Sequence, residues 1–298
     1  MLLAGGTGGA KLAVGLQSVQ PPGDVIVVAN TADDDEFWGL LVCPDIDAVI
    51  YRLAGLFNDE VGYGVKGDTF QVLEALSRIG EDTWFRIGDR DFATHLLRDE
   101  FMRRGATLTQ ATLHLCQRFA LKVRVLPMSD ARIRTRFTSD QGDHSFQEYF
   151  VRERLGPKLR AIRFAGIESA APTGEVVSAI EQADLVVIGP SNPLISVAPI
   201  LKLVAPHLSR TRTAAVTPIV GGVALKGPTV EMMKALGIDP NPVEVARMYR
   251  HVAGLFVLDE RDRELSEQIE GLGYRVVLCD TVMKDGGLAL AELLSGPV

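Results

Sequence analysis

The chain begins with a short apolar run, Met1-Leu2-Leu3-Ala4, that passes directly into Gly5-Gly6-Thr7-Gly8-Gly9-Ala10-Lys11 and then into a helical stretch, Leu12 to Ser18. A strand that stops in glycines lets backbone N–H groups approach an anion closely, and the positive end of the following helix dipole holds the anion there. This element therefore reads as a nucleotide or phosphate cradle, with a tight turn made of glycine as the plain alternative. Its spacing departs from both common fingerprints. After Gly6-x-Gly8, the place where a dinucleotide motif has its third glycine is Lys11, and no Gly-Lys-Ser/Thr run forms a Walker loop.

Strands and helices alternate on either side of one long interruption. Short apolar runs at Leu2 to Ala4, Val25 to Ala29, Leu185 to Ile188, Ala214 to Thr217, Leu255 to Leu258 and Val276 to Leu278 read as six buried parallel strands. Helical stretches of crossover length lie between them, which predicts a doubly wound, mainly parallel α/β sheet. The sheet core takes residues 1–43 and 167–298, and residues 44–166 form an insertion in a single compact unit. Four amphipathic helices open the insertion: Asp45 to Leu53, Thr69 to Ile79, Phe92 to Arg104 and Thr109 to Phe119. Alternating segments at 123–126, 132–137 and 144–151 then predict a β-meander or hairpin with one wet face.

With 298 residues, of which 47% are hydrophobic, the chain can bury a large core. Its net charge of −7, with acids and bases interspersed, offers no basic face to a nucleic-acid backbone. Cys43, Cys116 and Cys279 show no paired spacing, which points to a reducing, cytoplasmic setting. No apolar run approaches the ~18 residues that signal a membrane span, and a core strand at Met1 leaves no room for a signal peptide.

Ligands of open parallel sheets bind beyond the strand C-termini. Besides the glycine loop, two polar loops fall there: Asn30-Thr31-Ala32-Asp33-Asp34-Asp35-Glu36 and Gly189-Pro190-Ser191-Asn192-Pro193. A nicotinamide enzyme places an acid where this chain has Asn30, which argues against a dehydrogenase. In the insertion, Pro44-Asp45-Ile46-Asp47 sets two carboxylates at a helix start, able to cap the helix or to hold Mg²⁺ beside phosphate oxygens. Asp68 ends a glycine-spaced loop as a second possible oxygen ligand. Residues 84–95 gather Arg86, Asp89, Arg90, Asp91, Thr94 and His95 around one turn, more polar groups than packing alone explains. No nucleophile–His–Asp pattern and no metal-spaced histidines occur. A phosphate loop with acids and arginines fits phosphoryl-type transfer, where catalysis is mostly positioning and charge neutralisation.

Taken in order, the segments at 5–12, 30–33, 44–47, 67–69, 87–95, 126–130, 146–150 and 189–193 resemble the 2-phospho-L-lactate transferase family, CofD, over almost the whole chain. The resemblance implies a Rossmann-like fold. It also implies transfer of a phospholactate-type group from a guanosine diphosphate-linked donor to the deazaflavin Fo, releasing GMP, in coenzyme F-420 biosynthesis. Mg²⁺, a homodimer and a functional link to the guanylyltransferase that makes the donor come with it. By matching position, Asp47 and Arg86 would contact Fo, joined by Asp89, Thr94 and His95. Gly5, Gly6, Thr7, Gly8, Gly9, Lys11, Asn30, Ser191, Asn192 and Pro193 would hold the nucleotide. Asp47 and Asp68 would be catalytic, with Asp45 as a third metal candidate. The alternative is a nucleotide-sugar-binding regulatory protein of the same superfamily, without turnover.

Overall fold

The computed structural model describes residues 1–225 and 227–296. Seven parallel strands form the central sheet: β1 (Leu2–Ala4), β2 (Ile26–Ala29), β3 (Arg124–Pro127), β4 (Val186–Ile188), β5 (Thr213–Val216), β6 (Leu255–Asp259) and β7 (Arg275–Cys279). Their spatial order is β7-β6-β5-β4-β1-β2-β3. Side chains alternate across the sheet, as pleating requires. Leu2, Ala4, Val27 and Ala29 enter one apolar core while Leu3, Val28, Val186 and Ile188 enter the other. Both faces are thus buried, which is why the strands read as continuous apolar runs.

Helix α1 (Gly6–Val19) starts inside the glycines and packs with α2 (Pro44–Leu53) and the C-terminal helix Leu288–Ser295 on the first face. The insertion continues with α3 (Gln71–Arg78), α4 (Asp89–Arg103) and α5 (Leu108–Arg118). Two of its segments differ from the sequence reading. The run near residue 124 is not part of a meander: it is β3, the seventh sheet strand, pairing in parallel with β2 and burying Val125 and Leu126. The segment 144–151 stays extended only to Ser145 and then winds into a wide turn of helix, Glu148–Arg152. Ser145 and Glu148 explain the switch: each side chain accepts the other's backbone N–H, a capping box that starts a helix. Helical spacing also stacks Phe146 on Phe150, with centroids 4.3 Å apart, and lets Tyr149 stack on Phe137. Arg134–Ser139, Gly142–Ser145 and Leu159–Ala165 form an antiparallel sheet, and two short antiparallel pairs, Asp35–Phe37 with Leu40–Val42 and Ile219–Val220 with Val223–Ala224, complete the described strands.

Candidate active site

The strand order reverses between β1 and β4, so the glycine loop after β1 and the Gly189-Pro190-Ser191 loop after β4 face one another across the crevice at that point. Their approach is close enough to demand glycine. A Cβ on Gly8 would sit 2.1 Å from the Pro190 carbonyl oxygen, and one on Gly9 would sit 2.6 Å from the Ala4 Cβ. Gly5 N–H donates to Ser191 Oγ at 3.3 Å, tying the two loops together. Asn192 caps the following turn, its Oδ1 accepting from Leu194 N–H. A cavity of about 190 Å³ opens here, lined by Gly5, Gly6, Thr7, Gly8, Ser191 and Asn192 among others.

Acids surround that cavity. Asp45 is buried and its Oδ1 accepts from Gly6 N–H at 2.6 Å, so one amide of the α1 start already holds a carboxylate. Asn30 Nδ2 donates both to Asp45 Oδ2 (2.9 Å) and to Asp33 Oδ2 (3.0 Å), while Thr135 Oγ1 donates to Asp33 Oδ1. Burial pushes Asp45 up to about 6 against the hydrogen bonds from Asn30 and Gly6. Burial and the neighbouring Asp45 push Asp33 up as well. Asp34, also buried, rises to about 8, opposed by Arg134. The acids after β2 are thus not all a solvated turn: Asp33 and Asp34 are core residues.

A larger cavity, about 440 Å³, adjoins the first and shares Gly6, Thr7 and Asp45 with it. Aromatic side chains (Tyr51, Phe57, Tyr63, Trp84 and Phe85) line it together with Asp47, Asp91, His95 and Arg86. Asp47 comes from the first turn of α2, and Asp91, His95 and Arg98 from one face of α4. His95 Nδ1 lies 3.6 Å from Asp47 Oδ2 and its Nε2 lies 3.3 Å from Asp91 Oδ1, which also accepts from Tyr51 OH at 2.7 Å. Beneath them Arg98, fully buried, donates to Asp47 Oδ1 and to the Leu41 carbonyl. Burial opposes the charge on Asp91, but hydrogen bonds from His95 and Tyr51 and the Arg98 charge hold its carboxyl below the ordinary range. Asp47 Oδ2 and His95 Nε2 are buried without a hydrogen bond. One ligand atom each from Asp47, Asp91 and His95 lie within 4.8 Å of one another, a group able to hold a metal ion.

Two cavities thus adjoin, one glycine-lined and one aromatic, and comparison with known proteins gives the chain a family. The family described as 2-phospho-L-lactate transferase CofD matches residues 1–291. The chain belongs to this family. It is 38% identical to a 2-phospho-L-lactate transferase of Methanococcoides burtonii over 95% of this chain and 94% of that protein. A phosphoenolpyruvate transferase of Streptomyces griseus is also 38% identical, over 96% of this chain and 93% of its own. Among solved structures, a UPF0052 family protein of Bacillus halodurans superimposes with a TM-score of 0.62 at 16% identity, covering 99% of this chain and 98% of that one. It shares the fold. As a member of the CofD family the chain is a transferase with a mixed α/β fold built on a parallel sheet.

Several residues expected to act in a CofD site are brought together. Asp47, Arg86 and His95 line the larger cavity, and Gly5, Gly6, Thr7, Gly8, Ser191 and Asn192 line the smaller. Others are employed elsewhere. Lys11 donates to the Val282 carbonyl at 3.3 Å. Gly9 and Asn30 support the loop from behind, and Pro193 is buried in the turn it starts. Asp68 accepts from the N–H groups of Thr69, Arg90 and Asp91, capping α4. Asp89 accepts from Thr69 Oγ1 and from the Gln71 and Val72 N–H groups, capping α3, and the Thr69 bond chiefly lowers its carboxyl. Thr94 is buried in α4 outside both cavities. Of the expected metal set of Asp47, Asp68 and Asp45, amides and Asn30 bond the oxygens of Asp68 and Asp45, while Asp47 joins Asp91 and His95 in a metal-capable group among the described residues. Asp91 belongs to the polar cluster at 84–95 without an assigned role, and Tyr51, Arg98 and Asp33 carry no role in the sequence reading. The i, i+4, i+7 spacing of Asp91, His95 and Arg98 is the signal that joins Arg98 to that cluster.

Proposed function

We propose that this chain transfers a phospho-hydroxyacid group from a guanosine diphosphate-linked donor to the deazaflavin Fo, releasing GMP, as a homodimer in the cytoplasm. The observation that carries the reading is the junction of the two cavities at Gly6, Thr7 and Asp45, with the unpartnered oxygen of Asp47 on the aromatic side. The smaller cavity takes the donor's diphosphate on the first-turn N–H groups of α1. Thr7 and Gly8 supply those left beside the Gly6 amide that Asp45 holds. The insertion forms the acceptor side, where Trp84, Phe85, Tyr63 and Phe57 offer ring faces and edges to a flat tricycle.

Asp47 and Arg86 contact Fo, and Asp47 orients the terminal ribityl hydroxyl. As that oxygen bonds to phosphorus, the bond to GMP breaks in line and the hydroxyl proton passes to the carboxylate and on to water. Carboxylate oxygens suit a hard divalent cation, and the orphaned Asp47 oxygen beside Asp91 fits one. Mg²⁺ held by Asp47 and Asp91 would supply charge neutralisation for the diphosphate. Relatives named for phospholactate and for phosphoenolpyruvate are equally similar, so the acid is stated as a class. A titration of Fo fluorescence tests the reading. Saturable quenching by this protein, unaffected by a UDP-sugar, is expected. UDP-sugar binding with no response to Fo would replace the transferase by a nucleotide-sugar regulator.

A further inference from the structure

We infer that Arg98 is a positioning residue of this site: it pins one oxygen of Asp47, leaves the other open to the ligand, and locks the imidazole of His95 in a single tautomer. The inference rests on the transferase reading only for its kinetic test. Arg98 is completely buried, and every bond it makes is to the site or to the strand beside it. Its Nη2 donates to Asp47 Oδ1, and its Nη1 donates to the Leu41 carbonyl at 3.1 Å and meets His95 Nδ1 at 3.2 Å. Burial opposes its charge, but the Asp47 carboxylate more than offsets this and holds the guanidinium protonated.

A protonated guanidinium has donors and no acceptor. His95 Nδ1 is therefore the acceptor in that contact, and the imidazole proton sits on Nε2, facing Asp91 Oδ1 at 3.3 Å. In that tautomer Nδ1 has no proton to offer Asp47 Oδ2, 3.6 Å away, so this buried oxygen keeps no hydrogen-bond partner. Arg98 thus engages Asp47 Oδ1 and His95 Nδ1 and leaves Asp47 Oδ2 as the open oxygen of the cluster, aimed at a cation or a hydroxyl donor.

The neighbouring residue shows what a purely structural arginine would do. Asp99 accepts from Leu41 N–H at 3.1 Å, so Asp99 and Arg98 together clip both backbone groups of Leu41 to α4. If that clip were the whole role of Arg98, replacing it would lower stability and leave the imidazole and the chemistry alone.

The test uses Arg98→Lys, which keeps the buried charge but lacks the planar fork needed to reach Asp47, Leu41 and His95 at once, with Arg98→Met as a second variant. Nitrogen-15 NMR of the imidazoles, with His95→Gln to assign the signal, should show an Nε2-protonated His95 in the parent and loss of that pattern in Arg98→Lys. This readout needs no substrate, so it stands even if the transferase reading fails. In turnover, kcat should fall by about a hundredfold while the KM for the donor and the Kd for Fo change less than about threefold. An unchanged His95 spectrum, or a loss expressed wholly in KM and Kd, would overturn the inference. So would unchanged kcat in a variant that melts early.

Discussion

Replacing Gly8 by alanine separates the glycine loop's role at the site from its role in the fold. The added Cβ would lie 2.1 Å from the Pro190 carbonyl oxygen, and α1 places it at a normal helical φ, so the clash is one of contact and not of backbone strain. Ordinary contact begins near 3.4 Å, so the two loops must part by roughly 1.3 Å, widening the switch-point crevice where the diphosphate is held. Forced overpacking of this kind costs about 1–3 kcal/mol of stability. A displacement near 1 Å in a positioned site costs about a hundredfold in function. Gly15→Ala is the matched control. Its Cβ would meet the Gly287 carbonyl oxygen at 2.3 Å, further along α1 and against the loop before the C-terminal helix. Thermal melts should show comparable losses for both variants, while calorimetric titration with GDP should weaken by tenfold or more only in Gly8→Ala. Equal GDP affinity in Gly8→Ala and the parent would refute the assignment of this loop to the nucleotide.

Other consequences are open to direct measurement. Asp47→Asn, which keeps a hydrogen-bond acceptor but no charge opposite buried Arg98, should melt below the parent while still folding and lose transfer by at least about a hundredfold; near-normal turnover would remove Asp47 from the chemistry. Asp68→Ala should cost about 1 kcal/mol through the lost α4 cap while Mg²⁺ dependence stays as in the parent, and a changed half-saturation for Mg²⁺ would return Asp68 to the metal. Asp34, raised to about 8 by burial, is protonated in the folded chain where the unfolded chain is ionised. Folding is therefore penalised by about 1.4 kcal/mol per pH unit as pH rises above the ordinary carboxylate range toward 8. Asp34→Asn should accordingly melt higher than the parent at pH 8, with the gap closing toward pH 4; a gap that grows on acidification would contradict the sign.

Sheet and glycine loop were legible because both obey local rules. Six of the seven strands are apolar runs in the sequence, five of them buried on both faces, and Gly8 and Gly9 mark contacts no other residue could make. The strand Arg124–Pro127 escaped because Arg124 interrupts its apolar run, so Val123-Arg124-Val125 mimics the alternation of a half-wet hairpin. The helical turn at Glu148–Arg152 escaped because Phe146, Tyr149 and Phe150 favour strands by propensity, and only the Ser145–Glu148 capping pair reveals the winding. In the site, Asp68 reads in sequence as a catalytic acid and Asp89 as an Fo contact, and in space both accept helix-start N–H groups. Arg98 shows the opposite error. Mid-helix arginines are normally solvated, and its burial depends on Asp47, which lies 51 residues earlier.

The most direct test of the two-cavity transferase is to weigh its product. Fo, Mg²⁺, the protein and a guanosine diphosphate-linked donor, made in place from GTP and phospholactate or phosphoenolpyruvate by a guanylyltransferase, are mixed and followed by mass spectrometry. The account predicts Fo heavier by one phospho-acid and an equal amount of GMP, with Asp47→Asn giving neither. Unmodified Fo with both donors, from protein that binds Fo and GDP, would contradict it.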